Sequence, residues 1–163
     1  MSDALTYFDF SDMMLAAVRR KAGQIFICYF DGACERNPGG GMGSGAYIVT
    51  AAGQTAFTQS EYTPPAPGNT SNAAEYLAFM SLMNYLSDCD GCTISIFGDS
   101  KLVINQMTGR WRMTAGGYKT HALQAKEIYD QLRQHNRVKL AWIPRERNQM
   151  ADDLSKKAII KAQ

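Results

Sequence analysis

Along this 163-residue chain the spacing of apolar residues switches repeatedly between the two-residue period of strands and the 3.6-residue period of helices. "QIFICYFDG" is dense in β-branched and aromatic residues and predicts a strand ending near Asp31. "GSGAYIVTAAGQTAFTQSEY" predicts two further strands around a turn at Ala52-Gly53-Gln54. After a loop punctuated by Pro64, Pro65 and Pro67, a helix is predicted from Thr70–Asn72 to about Ser87. "CTISIFG" is a short apolar run suited to a buried strand, and "DSKLVINQMTG" reads as helical. Gly116-Gly117 breaks the chain before a helix of about Lys119–His135. "RVKLAWIP" is a strand stopped by Pro144, and a last helix starts near Glu146–Asn148 with Ala151, Leu154 and Ala158 as its inward stripe. The order β-β-β-α-β-α-α-β-α predicts an α/β fold: an antiparallel three-strand meander, two later strands added in parallel through right-handed crossovers, and helices flanking the mixed five-stranded sheet. Residues 1–22, with a helical Met13–Val18 core, read as a short extension of a single 23–163 domain.

Composition narrows the class. With 45% hydrophobic and 20% charged residues the chain is a folded globular protein. No run approaches the ~18 apolar residues of a membrane span, so no membrane partner is expected. The N-terminus lacks a basic start and carries Asp3, Asp9 and Asp12, against a transit peptide and in favour of a cytoplasmic location. The net charge of +2 hides an asymmetry: one basic residue, Arg36, against six acids from Gly23 to Gly98, then thirteen basic residues against six acids from Asp99 onward. Such a split fits either a polyanion-binding face or an ordinary solvated helical surface. Cys89-Asp90-Gly91-Cys92 has C-x-x-C spacing, but it lies between a helix and a strand with no second ligand pair, and reads as reduced thiols around a turn.

Three acids stand in apolar surroundings. Asp31 ends the buried-strand run Ile25–Phe30, and Asp99 closes "CTISIFG" at the strand end where open α/β sheets place their sites. Glu75 lies in a helix apolar almost all round, within about 20° of Leu82 and Leu86 and about 40° of Phe79 on the helical wheel. An unpaired carboxylate there costs several kcal/mol and calls for a cation. Arg36 is the only basic residue between Gly23 and Lys101, so a divalent metal is the economical partner. All-oxygen ligands point to a hard cation such as Mg²⁺ or Mn²⁺. In "IPRERNQMADDLSKKA", Asp152 and Asp153 both fall in the early turns of the last helix, where the helix dipole favours acids, and helix physics does not choose between them.

These residues carry a resemblance. Asp31-Gly32-x-Cys34-x-x-Asn37-Pro38-Gly39, Thr70-x-Asn72-x-x-Glu75, Asp99-Ser100 and Asn148-x-x-Ala151-Asp152-x-Leu154, in this order over roughly residues 24–160, resemble type 1 ribonuclease H. The resemblance implies a ribonuclease H-like fold and an endonuclease that hydrolyses the RNA strand of RNA/DNA hybrids, giving 5′-phosphate and 3′-hydroxyl ends. It implies Asp31, Glu75, Asp99 and Asp152 as the metal-binding catalytic tetrad, selecting Asp152 over Asp153. Two Mg²⁺ ions about 4 Å apart, replaceable by Mn²⁺, would activate the water and stabilise the leaving oxygen. It places Asp31 between the ions, Asp152 on the water side, and Glu75 and Asp99 on the leaving-group side. It implies a minor-groove role for Cys34, Asn37 and Asn72, a DNA phosphate contact for Thr70, a DNA-strand contact for Trp111, and a monomer.

Departures from the family qualify the expectation. The loop Pro144-Arg145-Glu146-Arg147 lacks the histidine of many relatives, so Arg145 or Arg147 is the candidate to fill its role electrostatically, with Arg145 also a substrate-binding candidate. His121 and His135 belong to another helix and read as surface residues. The basic protrusion of some bacterial members is absent after Trp111, and residues 1–22 are too short for the separate hybrid-binding domain of eukaryotic relatives. Two rivals remain: a non-catalytic nucleic-acid-binding module, or a nuclease of the same fold acting on double-stranded RNA or DNA junctions. Gly41-Met42-Gly43-Ser44-Gly45-Ala46 matches G-x-G-x-x-A but leads into a strand, whereas a dinucleotide fingerprint opens a helix. It reads instead as a flexible hairpin that lets a nucleic-acid backbone approach.

Overall fold

The computed structural model describes residues 22–114 and 116–163, so the expected helical core Met13–Val18 and nearly all of the 1–22 extension lie outside the described residues. The elements are β1 (Ile25–Glu35), β2 (Gly41–Thr50), β3 (Thr55–Thr63), α1 (Ser71–Leu86), β4 (Thr93–Gly98), α2 (Lys101–Met107), α3 (Lys119–His135), β5 (Arg137–Trp142), a 3-10 turn at Arg145–Arg147, and α4 (Gln149–Ala162). The sheet order is β3-β2-β1-β4-β5, with β1–β2 and β2–β3 antiparallel and β1–β4 and β4–β5 parallel. This is the predicted mixed sheet. β1, the most apolar strand, takes the centre.

The two faces of the sheet are covered unequally. Phe26, Cys28 and Phe30 of β1, Ala46 and Ile48 of β2, and Ile94 and Ile96 of β4 form the main core with Tyr76, Phe79, Leu82, Met83 and Leu86 of α1. Helix α1 lies between the sheet and α3, which explains why its sequence is apolar on nearly every side. The buried Tyr76 hydroxyl bonds to Gln106 Oε1 at 2.5 Å, tying α1 to α2. The thiols of Cys89 and Cys92 are buried beside this core.

On the opposite face α4 packs against β1, β2 and β3. This contact corrects the expectation for the glycine run. Its residues form the first half of β2 rather than a hairpin, which is made by Arg36–Gly40. A Cβ on Gly43 would stand 1.9 Å from Ser155 O, and one on Gly45 would stand 2.5 Å from Ala151 O. The backbone that needs these glycines is that of the protein's own α4, not that of a nucleic acid.

Candidate active site

β1 and β4 run parallel in register up to the pair Phe30–Gly98, so the next residue of each, Asp31 and Asp99, emerges side by side at the strand ends. Glu75 reaches them from the first turns of α1. Gly32 makes this approach possible: a Cβ there would lie 2.2 Å from Ala74 C and 2.3 Å from Glu75 N. Thr70 starts the helix, its Oγ1 accepting a hydrogen bond from Ala73 N at 3.1 Å. One carboxylate oxygen from each of Asp31, Glu75 and Asp99 lies within 4.8 Å of the others.

The fourth acid joins from α4. Asp152 is 4% exposed and borders the same cavity of about 320 Å³, together with Cys34, Ser71 and Arg145. Its Oδ2 accepts from Lys156 Nζ at 2.6 Å and its Oδ1 from Arg145 Nη2 at 3.3 Å. Asp153, by contrast, is exposed and bonds Gln149.

The charges are unevenly balanced. Burial, then the charge of Asp99, pushes Asp31 from an ordinary 3.8 up to about 7, although it accepts a hydrogen bond from Gly32 N at 2.9 Å. Burial and then Asp31 hold Glu75 well above the usual carboxylate range. Glu75 Oε2 is buried without a hydrogen-bond partner. Burial also pushes Asp152 up, but Lys156, Asp31 and Arg145 outweigh it and the net shift is downward. Among the described residues, three close carboxylates with no cation among them and a fourth clamped by two cations make a site short of positive charge on one side. An all-oxygen donor set of this kind fits a hard divalent ion.

Two contributors were not singled out as functional by sequence reasoning. Asn148, 1% exposed, donates through Nδ2 to Phe30 O at 2.9 Å and to Asp99 Oδ1 at 3.4 Å, joining the start of α4 to two acid-bearing strands. Lys156 was legible in principle, since its i,i+4 spacing from Asp152 is the standard helix ion pair.

Of the predicted substrate contacts, Cys34 and Arg145 line this cavity. Cys34 lines it, half-buried, with its thiol facing Arg36 O and Gly40 O at 3.8 Å. Asn37 Oδ1 accepts from Ser71 N at 3.2 Å and pins the β1–β2 hairpin to the start of α1. Asn72 is exposed on the first turn of α1, and Trp111 is 49% exposed beyond α2 rather than in the core. Of the two loop arginines Arg145 is the one paired with Asp152, its side chain 67% exposed toward solvent. His135 is exposed as expected, while His121 is half-buried.

A family model described as reverse transcriptase-like matches residues 29–158. The ribonuclease H of Francisella philomiragia is 32% identical over 148 residues, covering 82% of this chain and 90% of that protein. A bifunctional protein of Mycobacterium tuberculosis is 33% identical over 130 residues, covering 79% of this chain, which spans only 34% of that relative's length. Among solved structures, LC11 RNase H1 in complex with an RNA/DNA hybrid, a protein isolated from compost, superimposes with a TM-score of 0.70 at 28% identity. That match covers 84% of this chain and 98% of the other. With relatives at about a third identity over most of its length, the same fold, and the acid-bearing motifs gathered at one sheet end, the chain belongs to the type 1 ribonuclease H family.

Proposed function

We propose that the protein is an endonuclease that hydrolyses the RNA strand of RNA/DNA hybrids with the help of two divalent metal ions, leaving 5′-phosphate and 3′-hydroxyl ends. The observation that carries this reading is the unpartnered, buried Glu75 Oε2 within a cluster of three carboxylates. Buried negative charge of this kind weakens the binding of a polyanion unless a cation offsets it, which disfavours a purely binding module. The hybrid bound to LC11 RNase H1 supports the choice of substrate.

Asp31, Glu75, Asp99 and Asp152 would hold Mg²⁺ or Mn²⁺, which when bound activates water and neutralises charge at the scissile phosphate. The chain's own groups prepare that event. Asp31 and Glu75 share excess protons while no cation is present and must release them to become ligands. Asn148 fixes the Asp99 carboxylate against the end of β1. Arg145 and Lys156 keep Asp152 ionised, and the exposed guanidinium of Arg145, at the cavity wall, would be free to meet a substrate phosphate. Cys34, Asn37 and Asn72 on one flank are proposed to read the minor groove and its 2′-hydroxyls, with Thr70 and Trp111 on the DNA strand.

The test is cleavage of an end-labelled hybrid beside matched RNA/RNA and DNA/DNA duplexes, with Mg²⁺ or EDTA. RNA-strand cleavage that needs Mg²⁺ and disappears in Asp31→Asn is expected. Cleavage of DNA/DNA alone, or cleavage unaffected by Asp99→Asn, would overturn the reading.

A further inference from the structure

The α4 side of the sheet carries a surface that the catalytic reading leaves unused. α4 crosses β2 over Gly43 and Gly45, beside Asp31, and the strands below that level lie beyond its contacts with these glycines. One cross-strand row there is aromatic: Tyr47 of β2, Tyr29 of β1 and Phe97 of β4. Tyr29 stacks on Tyr47 with ring centroids 4.7 Å apart, and Phe97 follows at 5.6 Å. All three rings are half-buried, and among the described residues nothing covers the remainder of each. On the next strand Lys139 and Arg137 project from the same face, both exposed, and Lys139 Nζ lies 5.9 Å from the Phe97 ring centroid.

Charge and position decide what fits this surface. The outward-facing positions of β1, β2, β4 and β5 below the carboxylates include no Asp or Glu. The face is therefore apolar in the middle and purely cationic at its β5 edge. It is also continuous with the cavity, since Asp31 follows Tyr29 and Asp99 follows Phe97 by two residues and each pair shares a face of its strand. An open sheet with an aromatic row and flanking cations is suited to unpaired bases, whose rings pack on aromatics while phosphates meet the cations. A duplex cannot use the row, because its bases are already stacked. We propose that this face binds single-stranded nucleic acid, with bases on Tyr47–Tyr29–Phe97 and phosphates on Lys139 and Arg137. It is an accessory site for an unpaired strand running on from the cleaved duplex.

The experiment uses the full chain in EDTA, with fluorescein-labelled U15 and dT15 followed by anisotropy from 50 to 200 mM NaCl. Two phosphate contacts at about 0.7 each predict a contribution of about −1.4 to the log–log salt slope. The double variant Arg137→Glu/Lys139→Glu, at two exposed positions, is expected to weaken binding at least tenfold and to flatten the slope by about that amount. Phe97→Ala is expected to weaken it at least fivefold, and circular dichroism and melting establish that both variants fold. A preference for U15 or for dT15 tells which strand the face receives. Unchanged affinity in the charge-reversal variant overturns the proposal. So does binding seen only after removal of residues 1–21, which would assign the face to that segment, or a self-association abolished by the same substitutions, which would assign it to a second copy. Hybrid cleavage with Mg²⁺ reports separately on the carboxylates, so the two readings fail independently.

Discussion

Asp31 is the residue on which the site turns, because it stands between the other acids and because burial, then the charge of Asp99, raises its pKa to about 7. Asp31→Asn is expected to lower hybrid cleavage about a thousandfold, the equivalent of several kcal/mol of barrier, and at the same time to raise the melting temperature of the metal-free protein at pH 8. A loss of both activity and stability would contradict that account of the cluster. Asn148→Ala removes the donor shared by Phe30 O and Asp99, and is expected to cost about 1–3 kcal/mol in urea unfolding and about 10–100-fold in turnover. Three of the acids were legible in the sequence because a carboxylate in an apolar strand end or helix face is costly anywhere. Asp152 was not separable from Asp153 by helix physics, and the reason is angular. The stripe Ala151, Leu154 and Ala158 leaves the two acids at roughly equal angles of about 130° on opposite sides. The buried face in fact also contains Ser155 and Ile159, which rotate it toward Asp152. A serine with no exposed surface is invisible to a hydrophobicity pattern.

At the level of elements, the interface of α4 with β2 decides whether Asp152 reaches the other acids. Gly45→Ala would drive a Cβ to within 2.5 Å of Ala151 O and 2.6 Å of Ser155 N, next to Asp152. The expected result is a loss of about 1–3 kcal/mol or more in stability together with a clear fall in cleavage. Gly68→Ala meets nothing within 4 Å and serves as the control, neutral or stabilising by up to about 1 kcal/mol. Comparable defects in both variants, by melting and by cleavage rate, would show that close approach is not the cause. Strand and helix types were readable from periodicity, and even Gly116-Gly117 marked the start of α3 correctly. The meaning of the β2 glycines was not. A glycine records that something comes close, and only the packed structure tells whether that is a ligand or another helix.

For the whole molecule, the proposed function sets protons and metal in competition for the same carboxylates. Asp31 and Glu75 bind protons more tightly when folded than when unfolded, so the native state holds protons that the unfolded chain gives up above about pH 4. The metal-free protein is therefore expected to lose a few kcal/mol of stability as pH rises from about 4 through about 7. Melting in EDTA across that range measures it. Mg²⁺ is expected to reverse the loss at pH 8 and to have little effect at pH 5, and the metal concentration needed for half-maximal cleavage is expected to fall as pH rises through about 7. A metal-free melting temperature that climbs with pH would be the opposite sign and would refute the protonated cluster. Asp31 and Asp152 are separated by most of the chain's length, and they meet because α4 packs on β1 and β2. Until α4 has been made and has docked, the chain carries three of the four proposed ligands, Asp31, Glu75 and Asp99. The same holds for a fragment cut between Asp99 and α4. On the proposed reading, cleavage then waits on the docking of α4, and a copy halted before Asp152 leaves nearby RNA uncut.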